Sequence, residues 1–349
     1  MRTWIGVFLT SSLLLGCQPK NPPTANVSIT YRWDYVAGDY VRGTPAAGAE
    51  VVYFGADDNR LHAVNAVSGE EVWTFETEDN VTSSPVVLDA LILFGSWDGT
   101  VRAVEAAQGV LRWQYETGGW VTGSVVTVGD TVYVGSHDGY LYALLAQDGE
   151  LIWRYETGGA IQAGAAFVDD LVLVGSMDNY LYALDIANGN LRWRYPTSGD
   201  IVSTPAVADG TVFVGSMDRL FYAVDAATGG LKWTFEAGYA IESSPVVGEG
   251  LVYFGANDGL LYALRTRDGQ LAWRFQTGGL VRSSPATWNN LVFVGSGDGS
   301  VYGVDRLTGS SVWSYHTGGA IASGPGVAEG TLYVGSTDRR LYAFSLEAR

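Results

Sequence analysis

Cysteine and histidine are scarce in this chain, and their scarcity limits the chemistry it can support. Cys17 is the single cysteine in 349 residues, so no disulfide can form within the chain, although an exported protein could use one. His62, His137 and His316 are far apart in sequence and have no cysteine partners, so no zinc site is predicted. No Ser, His and Asp follow a spacing typical of a nucleophile site. We therefore expect no metal, no cofactor and no catalytic residue.

Positive charge is also low. Lys and Arg together number 20, against 37 Asp and Glu, which gives a formal net charge of −17. Such a balance keeps a protein soluble and repels the phosphates of nucleic acids and anionic lipids. We therefore expect no nucleic-acid partner, and we expect membrane contact to come from a covalent anchor.

The apolar run at the N-terminus is too short to span a membrane. It extends from Ile5 to Leu15, about 11 residues, whereas a spanning helix needs roughly 20. The run follows the positive charge of Arg2 and ends in small residues, which is typical of an export signal. We therefore predict that residues 1–16 are a signal peptide.

The end of this run carries a more specific signal. Residues 14–17 read Leu-Leu-Gly-Cys, which resembles a bacterial lipobox, in which the cysteine is acylated and becomes the first mature residue. The alternative is an ordinary signal peptide with an incidental cysteine. The next residue is Gln18 rather than Asp, which by resemblance to Gram-negative lipoproteins implies sorting to the outer membrane. We predict lipidation at Cys17, a proline-rich tether over residues 17–30, and a stable anchor facing the periplasm.

A repeat of 40 residues accounts for the rest of the chain, residues 31–349, which we treat as one domain. Gly55 and Asp58 recur at this interval in eight copies, as does a tryptophan. The eight tryptophans are Trp33, Trp73, Trp113, Trp153, Trp193, Trp233, Trp273 and Trp313.

Each repeat has the pattern of four short strands, which we name A, B, C and D. In one copy, four β-rich runs (Ile201–Ala206, Thr211–Gly215, Phe221–Asp225 and Leu231–Phe235) alternate with turns. Four antiparallel strands repeated radially form a propeller blade, so the sequence predicts an all-β, eight-bladed propeller. The chain begins with a lone D strand, Tyr31–Tyr35, and ends after A, B and C. We therefore expect the N-terminal strand to complete the last blade and close the ring.

The repeated tryptophans and aspartates each have a structural and a functional interpretation. Because each tryptophan lies on the outermost strand, we predict that it fills the gap between blades; the alternative is ligand stacking. The repeated aspartate, as at Asp58, lies in a B–C turn, where it would accept backbone N–H groups. The alternative, a metal site, is disfavoured because one carboxylate per blade is spread around the ring.

The repeat resembles the pyrroloquinoline-quinone-like (PQQ-like) propeller family. Residues 175–193, GSMDNYLYALDIANGNLRW, carry the motif, and it recurs in every blade. The resemblance implies one of two functions. The dehydrogenase branch binds the quinone and Ca²⁺ through inserted loops and extra carboxylates and usually has a vicinal disulfide, none of which this sequence contains. We therefore do not expect an enzyme.

The other branch contains the lipid-anchored propellers of the outer-membrane β-barrel assembly machinery, and a lipobox, a tether and an uninterrupted propeller fit it better. The resemblance implies a non-catalytic scaffold whose partner is a protein of outer-membrane assembly. The alternatives are a carbohydrate- or peptide-binding propeller and a relative of the quinone-dependent dehydrogenases.

One turn position varies so much among the copies that the fold does not dictate it. The residue before the repeated aspartate is of seven types in eight blades. Large side chains at and near this position fall in consecutive blades two to five, which predicts a contiguous apolar contact surface. Its members are Trp97, Trp120, His137, Tyr140, Met177, Tyr180, Met217 and Leu220, and its expected basic counterpart is Arg42, Arg60, Arg339 and Arg340. The alternative is drift at an exposed turn.

Overall fold

The computed structural model describes residues 27–48 and 50–348 as eight four-stranded antiparallel sheets. The predicted signal peptide, Cys17 and most of the tether lie outside the described residues. Every regular element within the described ranges is a strand, so the predicted eight-bladed propeller is confirmed. The strands are β1 (Val27–Val36), β2 (Ala46–Ala47), β3 (Val51–Ala56), β4 (Arg60–Asn65), β5 (Glu71–Glu76), β6 (Val86–Leu88), β7 (Leu91–Gly95), β8 (Thr100–Glu105), β9 (Leu111–Glu116), β10 (Val126–Val128), β11 (Thr131–Gly135), β12 (Tyr140–Leu145), β13 (Leu151–Glu156), β14 (Ala166–Val168), β15 (Leu171–Gly175), β16 (Tyr180–Asp185), β17 (Leu191–Pro196), β18 (Ala206–Ala208), β19 (Thr211–Gly215), β20 (Leu220–Asp225), β21 (Leu231–Glu236), β22 (Val246–Gly248), β23 (Leu251–Gly255), β24 (Leu260–Arg265), β25 (Leu271–Gln276), β26 (Ala286–Trp288), β27 (Leu291–Gly295), β28 (Ser300–Asp305), β29 (Ser311–His316), β30 (Gly326–Ala328), β31 (Thr331–Gly335) and β32 (Arg340–Ala348).

We number the blades in chain order, starting with blade 1 (β2–β5). Blade 8 closes the ring with the two ends of the chain. Its sheet has the order β1-β32-β31-β30, so the N-terminal strand is the outer D strand of the C-terminal blade. The pairing runs from Val27 opposite Ala348 to Val36 opposite Arg340, with a bulge just before Trp33. The strand begins at Val27, four residues before the boundary expected from the repeat. The four added residues pair with the end of β32, which is longer than the other C strands. Residues 27–30 therefore belong to the sheet rather than to the predicted tether.

The core lies between neighbouring blades, and the repeated tryptophans lie within it. The indole Nε1 of Trp113 donates a hydrogen bond to the carbonyl of Ala146 in the next blade at 2.9 Å. The same contact recurs from Trp33 to Ala66 and from Trp273 to Arg306. A register shift on each C–D pair, such as that between Ala143 and Leu144, twists the outer strand locally. The tryptophans therefore link each blade to its successor.

A glycine in the following blade makes room for seven of the eight indoles, all except that of Trp313. Gly149 has φ +77°, and a Cβ added there would lie 2.5 Å from the ring of Trp113. The position therefore requires glycine for two reasons, the left-handed backbone and the space taken by the indole. This is the turn between strands C and D, and its glycine is set by packing between blades.

Candidate functional site

The ring has two faces, which we name by their turns. The B–C face carries the B–C turns and the links from each D strand to the next A strand. The C–D face carries the A–B and C–D turns.

On the B–C face the repeated aspartate connects a turn to the preceding link. Asp138 accepts hydrogen bonds from the backbone N–H of Gly118 (2.6 Å) and of Tyr140 (2.9 Å), and from the hydroxyl of Tyr142 (2.7 Å). The aspartates therefore hold the scaffold of this face.

Blades 1 and 2 replace the tyrosine partner of this aspartate with a basic side chain. His62 Nε2 lies 3.1 Å from Asp58, and Arg102 Nη1 lies 2.8 Å from Asp98 with both side chains buried. Burial alone would raise the pKa of Asp98, but the hydrogen bond from Thr100 and the charge of Arg102 hold that pKa below its usual value. The repeated carboxylate is therefore structural in these blades too.

Two tryptophans from different parts of the chain stack on the B–C face. Trp97 lies in the B–C turn of blade 2, and Trp120 lies in the link between β9 and β10. Their ring centroids are 4.8 Å apart with an interplanar angle of 14°. The indole of Trp97 donates to Thr82 Oγ1 at 2.7 Å, which fixes its ring, whereas Trp120 is 48% exposed. We name this pair the tryptophan stack.

His137 extends the tryptophan stack toward blade 3. Its ring centroid lies 5.5 Å from that of Trp120, and its Nε2 lies 3.0 Å from Thr122 Oγ1. Burial lowers the pKa of His137, so the imidazole is neutral at neutral pH. The structure therefore brings Trp97, Trp120 and His137 into one aromatic surface.

The other predicted members of the contact surface lie in two different settings. Met177 and Met217 occupy the same turn position in blades 4 and 5 and are exposed. Tyr140, Tyr180 and Leu220 begin their C strands and pack half-buried against the cores between blades. Arginines of the adjacent D strands lie over the two tyrosine rings, at 4.7 Å and 4.5 Å from their centroids. These three residues therefore belong to the blade walls rather than to the stack.

Two of the four arginines in the expected basic counterpart form salt bridges within the chain. Arg42 pairs with Asp57 at 2.8 Å, and Arg340 pairs with Asp34. Arg60 lies opposite Glu76 in the strand register. The surroundings of the tryptophan stack are instead acidic, because the preceding link and the ends of two D strands carry exposed or half-buried carboxylates: Glu78, Asp79, Glu116 and Glu156.

The positioning residues Thr82 and Thr122 were not predicted, although the sequence contains a signal for them. Thr82 lies 15 residues before Trp97, and Thr122 lies 15 residues before His137; each threonine contacts that residue. The same spacing joins Arg42 to Asp57 and Glu242 to Asn257, whose side chains are 2.6 Å apart. In four of the eight blades the two side chains at this spacing are in contact, so the spacing is the signal that could have located the two threonines.

The central channel is lined by small polar residues from all the links. A cavity of about 210 Å³ is surrounded by a ring of hydroxyl groups that includes Ser84, Thr204, Ser244 and Ser284. In four of the links, the backbone N–H donates to the hydroxyl of the next link, as from Thr204 to Ser244 at 2.9 Å. The hydroxyls therefore join neighbouring links to one another around the axis.

Comparison with known proteins places the chain in a family. The family described as "Outer membrane protein assembly factor BamB" matches residues 30–161, 149–277 and 237–348. The chain belongs to this family. Among solved structures, BamB from Moraxella catarrhalis superposes with a TM-score of 0.79 at 22% identity, covering 91% of this chain and 100% of that chain. No curated protein sequence matches the chain.

Other solved structures share the fold with BamB and with this chain. The computationally designed Ika8 protein gives a TM-score of 0.79 at 18% identity and covers 89% of this chain and 97% of that chain. The quinohemoprotein alcohol dehydrogenase ADHIIG from Pseudomonas putida HK5 gives 0.78 at 17% identity, with coverages of 92% and 76%. Since scaffold, designed protein and enzyme all have this fold, the fold alone does not assign a function.

In the described ranges, no three side chains of His, Cys, Asp or Glu lie close enough to hold a metal ion together. The part of the chain that the structure describes also contains no helix that could span a bilayer.

Proposed function

We propose that this chain is a non-catalytic, lipid-anchored scaffold that binds a protein partner of outer-membrane assembly through the tryptophan stack on its B–C face. Membership of the BamB family supports the assembly role, and the lipobox at Cys17 supports the anchor. The observation that carries the choice of surface is the pairing of Trp97 with the half-exposed Trp120, 4.8 Å apart.

The fold does not require these two tryptophans. Four blades away, on the opposite side of the ring, the equivalent positions hold Asn257 and Leu280, and the backbone keeps the same hydrogen bond. There Asn257 N donates to Ala240 O at 2.9 Å, just as Trp97 N donates to Asn80 O at 2.9 Å. An aromatic pair with one exposed ring on a pre-organised turn is typical of a binding hot spot, because rigid rings lose little entropy on contact.

Charge around the tryptophan stack indicates the chemistry of the partner. The nearby carboxylates, including Glu78 and Glu116, favour a partner surface that bears Lys or Arg. An Arg or Lys side chain over the free face of Trp120 would gain a cation–π contact of about 0.5–2 kcal/mol. Association should therefore weaken as salt is added.

The direction of strand β1 supports an orientation in which the tryptophan stack faces away from the proposed anchor. Strand β1 runs from Val27, at the C–D face, to Val36, which pairs with Arg340 at the B–C face. The segment from Cys17 to Val27 reaches at most about 35 Å when extended, at 3.3–3.6 Å per residue. An acylated Cys17 would hold the C–D face toward the membrane and leave the tryptophan stack open to the periplasm.

The test is co-purification with the acylated full-length protein from detergent-solubilised outer membranes, with the recovered proteins identified by mass spectrometry. The wild-type chain should recover an outer-membrane assembly component. The double change Trp97→Ala and Trp120→Ala should weaken that recovery by about 2 kcal/mol or more. The matched control, Asn257→Ala with Leu280→Ala, alters the equivalent positions across the ring and should bind like the wild type.

Three outcomes would contradict this proposal. Full recovery of the partner protein with the double tryptophan variant would show that the contact surface lies elsewhere on the ring. A large drop in its melting temperature would make the two tryptophans packing residues. Recovery of glycans in place of a protein would favour a carbohydrate-binding propeller, because a tryptophan face can also stack on a sugar ring.

A further inference from the structure

A second cavity lies on the opposite face of the ring, between blades 2 and 3. It has a volume of about 530 Å³, within the range of small-molecule sites. Its apolar lining residues come from both blades and include Leu88, Leu91, Leu145 and Ala146. The A–B and C–D turns form its mouth, so it is separate from the tryptophan stack and from the central channel.

The repeat shows how this gap differs from most of the others. The third residue of most B strands is an aromatic that fills the space toward the next blade: Tyr53, Tyr133, Phe213, Tyr253, Phe293 and Tyr333. Blades 2 and 4 have Leu93 and Leu173 at this position. A leucine has neither the length nor the hydroxyl of a tyrosine, so the gap after each of these blades lacks a phenol.

The carbonyl that such a phenol would reach lies at the cavity. Tyr53 donates its hydroxyl to Ala106 O at 3.2 Å, and that carbonyl also accepts the indole of Trp73 at 3.0 Å. Tyr133 and Trp153 share the carbonyl of Ile186 in the same way. The equivalent carbonyl after blade 2 is Ala146 O, which accepts Trp113 Nε1 at 2.9 Å. Its second lone pair is the one that a tyrosine at position 93 would take.

Blade 4 has the same leucine but a different rim. There Arg192 binds both Asp170 and Asp185, each at 3.0 Å, and its side chain lies across the end of the blade. In blade 2 the residue equivalent to Asp170 is Ala90, and Arg112 binds Glu105 alone at 3.0 Å. The small side chain of Ala90 leaves the mouth of the blade 2 cavity open. Blade 4 has the same leucine, Leu173, but a rim bridged by Arg192, so position 173 is the matched control for position 93.

Carboxylates at the mouth set the charge that a ligand would need. Asp89 and Asp130 line the cavity and are exposed, and neither forms a salt bridge within residues 27–48 and 50–348. Because Glu105 already neutralises Arg112, the net charge at the mouth is negative. An ammonium group would be favoured there and a second carboxylate would be repelled.

We propose that this cavity binds a small phenolic amine. The phenol ring lies between Leu91 and Leu145, its hydroxyl donates to Ala146 O, and its ammonium group faces Asp89 and Asp130. The ligand thereby supplies the ring and the hydrogen bond that Tyr53 and Tyr133 supply in blades 1 and 3. This site is independent of the protein-binding role proposed above, because it lies on the other face.

The test uses tyramine as the probe and follows the methyl NMR signals of Leu88, Leu91 and Leu145 in the full propeller. Tyramine should shift these signals in a saturable way. Phenethylamine, which lacks the hydroxyl, should bind about two- to tenfold more weakly, as expected for the loss of one hydrogen bond. 4-Hydroxyphenylacetate, which replaces the ammonium with a carboxylate, should bind more weakly still.

Two variants link binding to this cavity. Leu93→Tyr should fill it and lower tyramine affinity at least tenfold, whereas the matched control Leu173→Tyr should leave affinity unchanged. Ala90→Asp gives blade 2 the rim of blade 4 at an exposed position, and should weaken binding even if Leu93→Tyr disturbs folding. Saturable binding that survives both Leu93→Tyr and Ala90→Asp, or the absence of methyl shifts at millimolar tyramine, would overturn the proposal.

Discussion

Closure of the ring can be tested by comparing two tryptophans that have the same environment but different positions in the chain. Trp33 and Trp113 are each 7% exposed, and each donates its indole N–H to a carbonyl of the next blade. Trp113 lies in the interior of the chain, whereas Trp33 lies on the strand that begins at Val27. A terminal strand that frays would make Trp33 nearly dispensable. A strand held in a closed ring would make both tryptophans equally important.

The magnitude follows from burial. Truncating a buried tryptophan to alanine costs about 3–5 kcal/mol, because the indole loses its packing and leaves a cavity. Each indole also rests on a glycine of the next blade, Gly69 under Trp33 and Gly149 under Trp113, where nothing else can fill the space. At about 2.1 cal/mol/K per residue, a propeller of roughly 320 residues has an unfolding entropy near 0.7 kcal/mol/K, so the melting temperature should fall by about 4–8 °C.

The assay is thermal and urea unfolding of Trp33→Ala and Trp113→Ala beside the wild type. We expect both variants to lose about the same free energy of unfolding. A loss below about 1 kcal/mol for Trp33→Ala, with a full loss for Trp113→Ala, would refute ring closure by the N-terminal strand. Equal but small losses would instead refute the role assigned to the repeated tryptophans.

Two further predictions concern the anchor and one of the buried carboxylates. Cys17→Ala should remain unprocessed or appear without lipid, and detergent partitioning of cleanly processed Cys17→Ala would exclude the lipobox. Asp98→Asn should cost about 3 kcal/mol at pH 7, because it leaves the buried guanidinium of Arg102 without its counter-ion. The pKa of Asp98 is lowered in the folded protein, so the stability it contributes is present above pH 4 and is lost as the pH falls below 4. Urea unfolding at pH 7 and pH 3 should therefore show the difference between wild type and variant shrinking in acid, and a constant difference would contradict this assignment.

The apolar surface shows how far the sequence could predict the candidate site. Comparison of the repeats located the variable turn position and predicted a contact surface on consecutive blades two to five. It could not separate Tyr140 and Tyr180 from Trp97, because residues close together in one turn point in different directions. Tyr140 begins a strand and its ring turns into the gap between blades, whereas Trp97 lies in the turn itself and faces the next link.

The sequence by itself determined the architecture of this protein. A 40-residue period with one tryptophan, one aspartate and a set of turn glycines specifies a blade, and an unpaired strand at the N-terminus specifies how the ring closes. These features follow from local propensity and from a repeated pattern, both of which can be read along the chain. Only the tertiary structure decided which side chains meet across a gap, as in the stack of Trp97 on Trp120 and the cavity beyond Leu93. Such contacts join residues from different blades, and their geometry depends on how closely neighbouring sheets pack.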